Sequence, residues 1–183
     1  MQVRSTKLDG VYVVETVLRA DHRGAFGRLF CEQELAPVLR GRRIVQMNFS
    51  CTSAPGALRG MHFQLPPHAE MKLVRCLRGR VHDVVLDLRA GSPTFLQWHA
   101  EELDPQGACM LVIPEGCAHG FQVIEADSEL LYLHTASYAP EAEGGIVYND
   151  PAVAIVWPSA VTDISPRDLA HPLISQEFSG IVL

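Results

Sequence analysis

Short runs of apolar, β-branched and aromatic residues recur along the chain, and Gly, Pro, Asp or Asn separates one run from the next. The runs that fit strands are residues 11–18, 43–50, 72–79, 80–89, 94–103, 108–114, 120–126, 128–138 and 154–157. Many short strands at a spacing of roughly 8–12 residues are typical of a β-sandwich or β-barrel. The pattern therefore predicts a mainly β fold.

Helical signals are few. Residues 31–40 (CEQELAPVLR) fit a short helix, and a second helix is predicted to begin near Ser165. Ser165 suits a helix cap, Pro166 suits the first helical position, and Asp168 lies three residues after the cap. The chain has no repeat, low-complexity tract or Gly/Ser-rich linker, so we predict a single domain over residues 1–183.

The composition suits a folded protein with a sizeable core, because 48% of the 183 residues are hydrophobic. The net charge is −6 at pH 7, which argues against a surface that binds nucleic-acid phosphates. Cations that cluster locally would therefore meet a small anion. No apolar run approaches membrane-spanning length, so we expect a soluble, cytoplasmic protein with neither a nucleic-acid nor a membrane partner.

The cysteines are odd in number and lack C-x-x-C spacing. This argues against both a disulfide framework and a structural zinc site. We expect reduced thiols, mostly in the core, with Cys76, Cys109 and Cys117 in apolar surroundings.

The segment from Leu58 to Cys76 (LRGMHFQLPPHAEMKLVRC) carries unusual cationic chemistry for a strand-like region. Strict alternation would place Arg59 and His62 on opposite faces of a strand. The two side chains can enter one cavity only if the strand bulges, and Gly60 is a residue that permits a bulge. Lys72 follows after a Pro-Pro corner.

Further candidates come from the later strands. Asp83 and Asp87 share a face among valines, and a buried carboxylate needs a partner, for which a histidine or lysine is the obvious candidate. His119 lies in a Gly-framed turn or strand start, and the run 128–138 supplies Tyr132 and Tyr138.

Simple structural roles are open for each candidate. His62 and His119 could satisfy backbone groups, Arg59 and Lys72 could be solvated strand charges, and Tyr132 could be a core aromatic. Asp168 could be no more than a capping-box acid. A metal site is not predicted, because the chain has no H-x-H motif and its histidines do not pair at the usual ligand spacing.

A series of motifs, taken together, resembles one known family. They are DHRGAFGRLF, VQMNFS, ALRGMHFQ, KLVRCLRGRVHDVVLDLRAGSPTF, IPEGCAHGFQV, YLHTASYAPEAEGGIVYNDP, IVWP and SPRD, in this order from about Leu8 to Leu173. Together they resemble the dTDP-4-dehydrorhamnose 3,5-epimerase family. The resemblance implies a cupin-type jelly-roll β-barrel with a few short helices, acting as a homodimer without metal or organic cofactor. It also implies a dTDP-4-keto-6-deoxy sugar as substrate, inverted at C3 and C5.

The same resemblance assigns roles to residues. His62 would be the general base, Asp168 its carboxylate partner, and Tyr132 the general acid on the opposite face of the sugar ring. The residues that would contact the substrate near the reacting carbons are Arg59, Lys72 and His119, with Asp83 hydrogen-bonded to His119. The residues that would hold the nucleotide diphosphate are Arg23, Gln46, Asn48, Glu143 and Arg167, with Tyr138 stacked on the base.

Two departures from the family pattern keep alternatives open. Arg28 stands where the family usually has a glutamate. Three alternatives are open for this arginine: it pairs with a nearby acid, it contacts phosphate, or it indicates that the substrate carries a different nucleobase. Tyr148 stands where a tryptophan is usual, a milder change. The alternative functions are a C3-only epimerase of another nucleoside-diphosphate 4-keto-6-deoxy sugar and a non-epimerising nucleotide-sugar cupin such as a ketoisomerase.

Overall fold

The computed structural model describes residues 1–183 and is dominated by strands. The strands are β1 (Gln2–Ser5), β2 (Tyr12–Glu15), β3 (Arg19–Asp21), β4 (Gly24–Phe26), β5 (Gln46–Thr52), β6 (Ala57–Gln64), β7 (Lys72–Arg78), β8 (Val81–Asp87), β9 (Trp98–Leu103), β10 (Cys109–Ile113), β11 (Cys117–Val123), β12 (Ser128–His134), β13 (Glu143–Gly145) and β14 (Asp163–Ile164). The helices are α1 (Glu32–Leu39) and α2 (Pro166–Leu169), with a 3₁₀ turn at Pro140–Ala142.

The strands form two facing sheets and one separate hairpin. One sheet has the order β1-β2-β10-β7-β12-β5, and the other has the order β13-β6-β11-β8-β9, with β14 parallel to β6. All other pairings between the named strands are antiparallel, and β3 and β4 form the separate hairpin. This is the jelly-roll arrangement, so the predicted fold class is confirmed.

The core lies between the two sheets. Val74 and Leu111 from the first sheet pack in one cluster with Val85 and Phe121 from the second. These side chains are at most 2% exposed. Burying an apolar side chain of this size stabilises the fold by about 1.5–3 kcal/mol, so the contact between the sheets is the main source of stability.

Both predicted helices are confirmed. The Ser165 hydroxyl accepts a hydrogen bond from the Asp168 N–H at 3.0 Å, as a capping serine should. No helix is long and apolar enough to cross a membrane.

The strand prediction for residues 154–157 is wrong. This segment has no ladder partner, and its apolar pattern comes from packing on one side of the second sheet. Ile155 is buried there and Val156 is 67% exposed, while the Trp157 indole donates to the Tyr148 carbonyl at 2.9 Å. An irregular segment that buries one side can thus show the same alternation of buried and exposed positions as a strand.

The cysteines are all free, as expected. Burial raises the pKa of the Cys76 thiol to about 11 and that of Cys117 to about 12, so both stay protonated at neutral pH. Cys109 is partly buried against the core, whereas Cys51 on β5 is exposed.

Candidate active site

A cavity of about 780 Å³ opens at one end of the space between the sheets. Both walls contribute polar side chains: β6 and β11 form one wall, and β5, β7 and β12 form the other. The predicted residues that line it are Asn48, Arg59, His62, Lys72, His119, Tyr132, Tyr138, Glu143, Arg167 and Asp168. Its size suits a small organic ligand rather than a single ion.

A bulge in β6 brings Arg59 and His62 into this one cavity. His62 is opposite His119 and Arg59 is opposite Phe121, so β6 has one more residue than β11 between these pairs. Gly60 lies in the bulge with φ of +119°, and a Cβ there would lie 2.5 Å from the Gly120 Cα. Only glycine fits this backbone conformation and this close approach.

His62 and Asp168 form a hydrogen-bonded pair. The His62 Nε2 lies 2.8 Å from Asp168 Oδ1, and the Gly60 N–H donates to Asp168 Oδ2 at 3.0 Å. Burial raises the pKa of Asp168, but the hydrogen bonds from His62 and Gly60 outweigh burial and lower it to about 2. An ionised carboxylate can only accept hydrogen bonds, so Nε2 of His62 carries a proton, and in the neutral imidazole the lone pair is on Nδ1.

His119 forms a second histidine–carboxylate pair beside the first. Its Nε2 lies 2.9 Å from both carboxylate oxygens of Asp83, which is fully buried on β8. Asp83 lies behind His119 and does not line the cavity. Asp87, the other carboxylate on this face of β8, bonds instead to Arg89, Ser92 and Thr94. Asp83 thus pairs with a histidine, whereas Asp87 pairs with an arginine and two hydroxyl groups.

Tyr132 extends from the wall opposite His62. Its ring packs against the core, 6.1 Å from the His119 ring, and its hydroxyl lies 3.3 Å from the Ser50 hydroxyl. Burial raises the pKa of the Tyr132 phenol well above its ordinary value. The phenol therefore enters any reaction as a proton donor.

Two cations on the cavity walls differ in their partners. Lys72 Nζ lies 3.3 Å from Glu70 Oε1 and donates to the His62 carbonyl at 3.4 Å. The Arg59 guanidinium donates to the Thr52 hydroxyl at 3.0 Å and has no carboxylate partner. Arg59 is thus the cation with the least compensated charge at this end of the cavity.

The structure brings three further side chains into or beside the cavity that were not predicted from the sequence: Glu70, His134 and His171. Glu70 and Lys72 are two residues apart, as are Tyr132 and His134, so strand alternation could have placed each pair on one face. Burial raises the pKa of Glu70, but the hydrogen bond from His134 and the charge of Lys72 lower it below its ordinary value. His171 follows α2, and its spacing from the other histidines gave no signal.

His171 adds a third polar group to the His62–Asp168 pair. Its Nε2 is buried without a hydrogen-bond partner, 3.8 Å from Asp168 Oδ1. One potential ligand atom from each of the three residues lies within 4.8 Å of the other two. This grouping joins residues distant in sequence, so histidine spacing alone could not predict it.

Three predicted residues lie outside the cavity lining: Asp83, Gln46 and Arg23. Gln46 adjoins it through a hydrogen bond from its Nε2 to Asn48 Oδ1 at 3.1 Å. The Arg23 side chain is 78% exposed in the β3–β4 hairpin and pairs with Asp21 at 2.6 Å.

Arg28 pairs with Glu34 of α1, which is the first of the three alternatives considered for this position. It lines a separate, smaller cavity near the N-terminus together with Thr16 and Phe26. Within one chain, Arg28 therefore does not contact the main cavity.

Comparison with known proteins identifies the family. The profile described as dTDP-4-dehydrorhamnose 3,5-epimerase matches residues 5–176. The chain belongs to this family. The resemblance carried by the sequence motifs and the prediction of an epimerase are thereby confirmed.

Individual relatives match this epimerase over most of their length. The dTDP-4-dehydrorhamnose 3,5-epimerase of Salmonella typhimurium is 41% identical over 179 residues, covering 96% of this chain and 97% of the relative. The dTDP-4-dehydrorhamnose 3-epimerase of Streptomyces niveus is 38% identical, covering 96% and 85%. The Legionella pneumophila structure in complex with dTDP-4-keto-L-rhamnose has a TM-score of 0.89 at 38% identity, covering 94% and 92%.

Proposed function

We propose that this epimerase converts dTDP-4-keto-6-deoxyglucose into dTDP-4-keto-rhamnose by inverting C3 and C5. The observation that carries the proposal is the pairing of a base and an acid on opposite walls. His62, whose ionised partner Asp168 lies in α2, comes from one sheet, and the protonated Tyr132 comes from the other. Inversion needs this arrangement, because the proton must leave one face of the ring and return on the other.

Proton removal beside a ketone forms an enolate, which an imidazole cannot generate unaided. Arg59, Lys72 and His119 line the cavity and are the groups proposed to stabilise the enolate oxygen. In a water-excluded site, one such donor typically contributes about 3 kcal/mol to the stabilisation of the oxyanion. Two of these side chains, Arg59 and Lys72, belong to the segment around the Pro-Pro corner, and their proposed role accounts for cationic residues in that segment.

Inversion at each carbon moves one proton off the sugar and one proton onto it. Nδ1 of His62 takes the proton from carbon, and Asp168 stabilises the imidazolium that forms. The Tyr132 phenol then gives its proton to the same carbon from the opposite face, with Ser50 able to donate to the phenolate oxygen. Solvent restores both groups, and the cycle repeats at the second carbon.

The nucleotide would lie at the mouth of the cavity, where Arg167, Glu143 and Tyr138 form a connected group. Arg167 donates to Glu143 at 2.6 Å, and the Tyr138 hydroxyl donates to the same carboxylate at 2.8 Å. Arg23 does not line the cavity of its own chain, so its proposed diphosphate contact requires the hairpin of a second copy.

We infer a homodimer on this basis. The apolar side chains exposed on the hairpin and on the edge strand β5 support it: Phe26 is 77% exposed, Met47 64% and Phe49 58%. Light scattering measures the mass in solution. A monomeric, fully active protein would contradict the dimer and remove Arg23 from the diphosphate site.

The deciding experiment is proton NMR of dTDP-4-keto-6-deoxyglucose with the enzyme in deuterated water. Loss of both the C3 and C5 signals, with an inverted product trapped by a rhamnose-forming reductase, is the expected result. Exchange at C3 alone would favour the second candidate, a C3-only epimerase, for which the 3-epimerase of Streptomyces niveus is a precedent. A shifted ketone with no inversion would indicate a ketoisomerase.

A further inference from the structure

A chain of hydrogen bonds runs along one wall of the cavity, from Glu70 through His134, Asn48 and Gln46 to the backbone of Tyr138. We propose that His134 is a positioning residue: as a neutral Nδ1–H tautomer, it fixes which way the side-chain amides of Asn48 and Gln46 point. The inference rests on the proposed function, in which these two amides hold the nucleotide diphosphate.

The polarity of the chain follows first from its Glu70 end. The Glu70 side chain is 7% exposed, and its carboxylate accepts from His134 Nδ1 at 2.7 Å. A neutral imidazole that donates from Nδ1 has only a lone pair at Nε2. Asn48 must therefore present its NH₂ group to that lone pair, and its Nδ2 does lie 3.3 Å from His134 Nε2.

The same polarity follows independently from the Tyr138 end. A backbone N–H can only donate, and the Tyr138 N–H donates to Gln46 Oε1 at 3.0 Å. The NH₂ group of Gln46 then faces Asn48 and donates to its Oδ1 at 3.1 Å. This leaves the NH₂ group of Asn48 for His134. Two fixed ends thus require the same orientation for both amides and the same tautomer for His134.

His134 is well placed to hold this orientation. Its side chain is 10% exposed, and its ring stacks on Tyr132 at a centroid distance of 6.1 Å. The carboxylate that anchors it also contacts Lys72 at 3.3 Å. One buried acid therefore fixes both the cation expected at the ketone and the start of the amide chain that leads to the nucleotide.

The chain of hydrogen bonds affects ligand binding through a hydrogen-bond donor of Asn48 that it does not use. Asn48 has one further N–H directed away from the chain, a donor suited to a phosphate oxygen. If the Nε2 acceptor is removed, Asn48 loses the partner that holds its amide in place. Ligand affinity would then fall, although His134 itself need not touch the ligand.

The first test needs no ligand. Long-range ¹H–¹⁵N NMR distinguishes histidine tautomers, and we expect His134 in the resting enzyme to carry its proton on Nδ1. A proton on Nε2, or on both nitrogens, at neutral pH would overturn the inference, whatever the nucleotide proves to be.

The second test measures dTDP affinity by calorimetry and the KM and kcat of epimerisation. We expect His134→Leu to weaken dTDP binding and raise KM by about 10-fold, the value of one lost hydrogen bond, with a smaller change in kcat. His134→Gln, which returns an acceptor, should recover part of the affinity. His68→Leu is the matched control, because His68 is partly exposed and only approaches Glu141 at 3.8 Å.

A double-mutant cycle separates positioning from general loss of packing. In an Asn48→Ala background, His134→Leu should cause little further loss of dTDP affinity, because its effect passes through Asn48. Fully additive losses, or unchanged affinity in His134→Leu, would overturn the inference. Wild-type enzyme that does not bind dTDP would contradict the proposed function instead, and the tautomer measurement would still decide the polarity.

Discussion

Replacement of Asp168 by Asn tests whether the His62–Asp168 pair generates the base. The amide is nearly the same size and can still accept from the Gly60 N–H, which donates to Asp168 Oδ2 at 3.0 Å. The change removes the negative charge 2.8 Å from His62 Nε2. It also allows the amide to donate to His62, which would place the lone pair on the wrong nitrogen.

The magnitude follows from the pKa of Asp168, which lies at about 2 instead of 3.8. A lowering of nearly 2 in pKa corresponds to roughly 2–3 kcal/mol of net stabilisation of the carboxylate, after the opposing effect of burial. In the variant, the Gly60 N–H still finds an acceptor. The stabilisation that is lost therefore belongs mainly to the interaction between the carboxylate and the imidazolium of His62. We therefore expect the rate of deuterium exchange to fall by between about 10-fold and 100-fold.

The assay is single-turnover deuterium exchange at C3, followed by NMR, with dTDP affinity measured in parallel. Asp163→Asn is the matched control, since Asp163 lines the same cavity, is exposed and makes no side-chain hydrogen bond. If Asp168→Asn exchanges within about 3-fold of wild type while Asp163→Asn does the same, the carboxylate does not support the base.

Four further outcomes are expected. Tyr132→Phe should keep deuterium exchange but lose the inverted product, and full epimerisation by this variant would assign the acid elsewhere. Gly60→Ala should destabilise the fold by about 2 kcal/mol or more in urea unfolding, because a Cβ would lie 2.5 Å from the Gly120 Cα; unchanged stability would mean that the bulge relaxes. Because the pKa of Asp168 is lower in the folded than in the unfolded chain, its ionised form contributes stability above about pH 4, and this is lost as the pH falls towards 2. The stability difference between wild type and Asp168→Asn should therefore shrink over that range, and a constant difference would contradict the pKa. Prolonged chelation with EDTA should leave the exchange rate unchanged, whereas added Zn²⁺ should inhibit wild type more than His171→Ala, since His171 completes a group of three potential ligands.

Much of the fold followed from the pattern of apolar positions, because most strands bury one face against the opposite sheet. The pattern failed at residues 154–157, where an irregular segment buries alternate side chains without a ladder partner. It also gave no signal for β3 and β4, whose residues are all exposed. Periodicity detects one-sided burial and does not detect hydrogen-bond pairing.

The site was predicted mainly through the family motifs, and alternation alone would have separated Arg59 from His62. The three side chains that were missed are Glu70, His134 and His171. Their roles depend on which distant residue lies opposite. Glu70 is 64 residues from His134, and no spacing rule connects them. The sequence showed that polar groups were present, but only the register of β7 against β12 shows that they meet.

The division of the proposed catalytic pair between two sheets has a consequence for how activity returns after unfolding. His62 lies on β6 and Tyr132 on β12, and no strand pairing links these two sheets. Within the two sheets, only β1–β2 and β8–β9 pair strands that follow one another in the chain, and from β9 to β13 each successive strand lies in the opposite sheet. Neither sheet can therefore form far ahead of the other, because most of its ladders join distant segments. Regained turnover during refolding should coincide with the recovery of the far-ultraviolet circular dichroism signal.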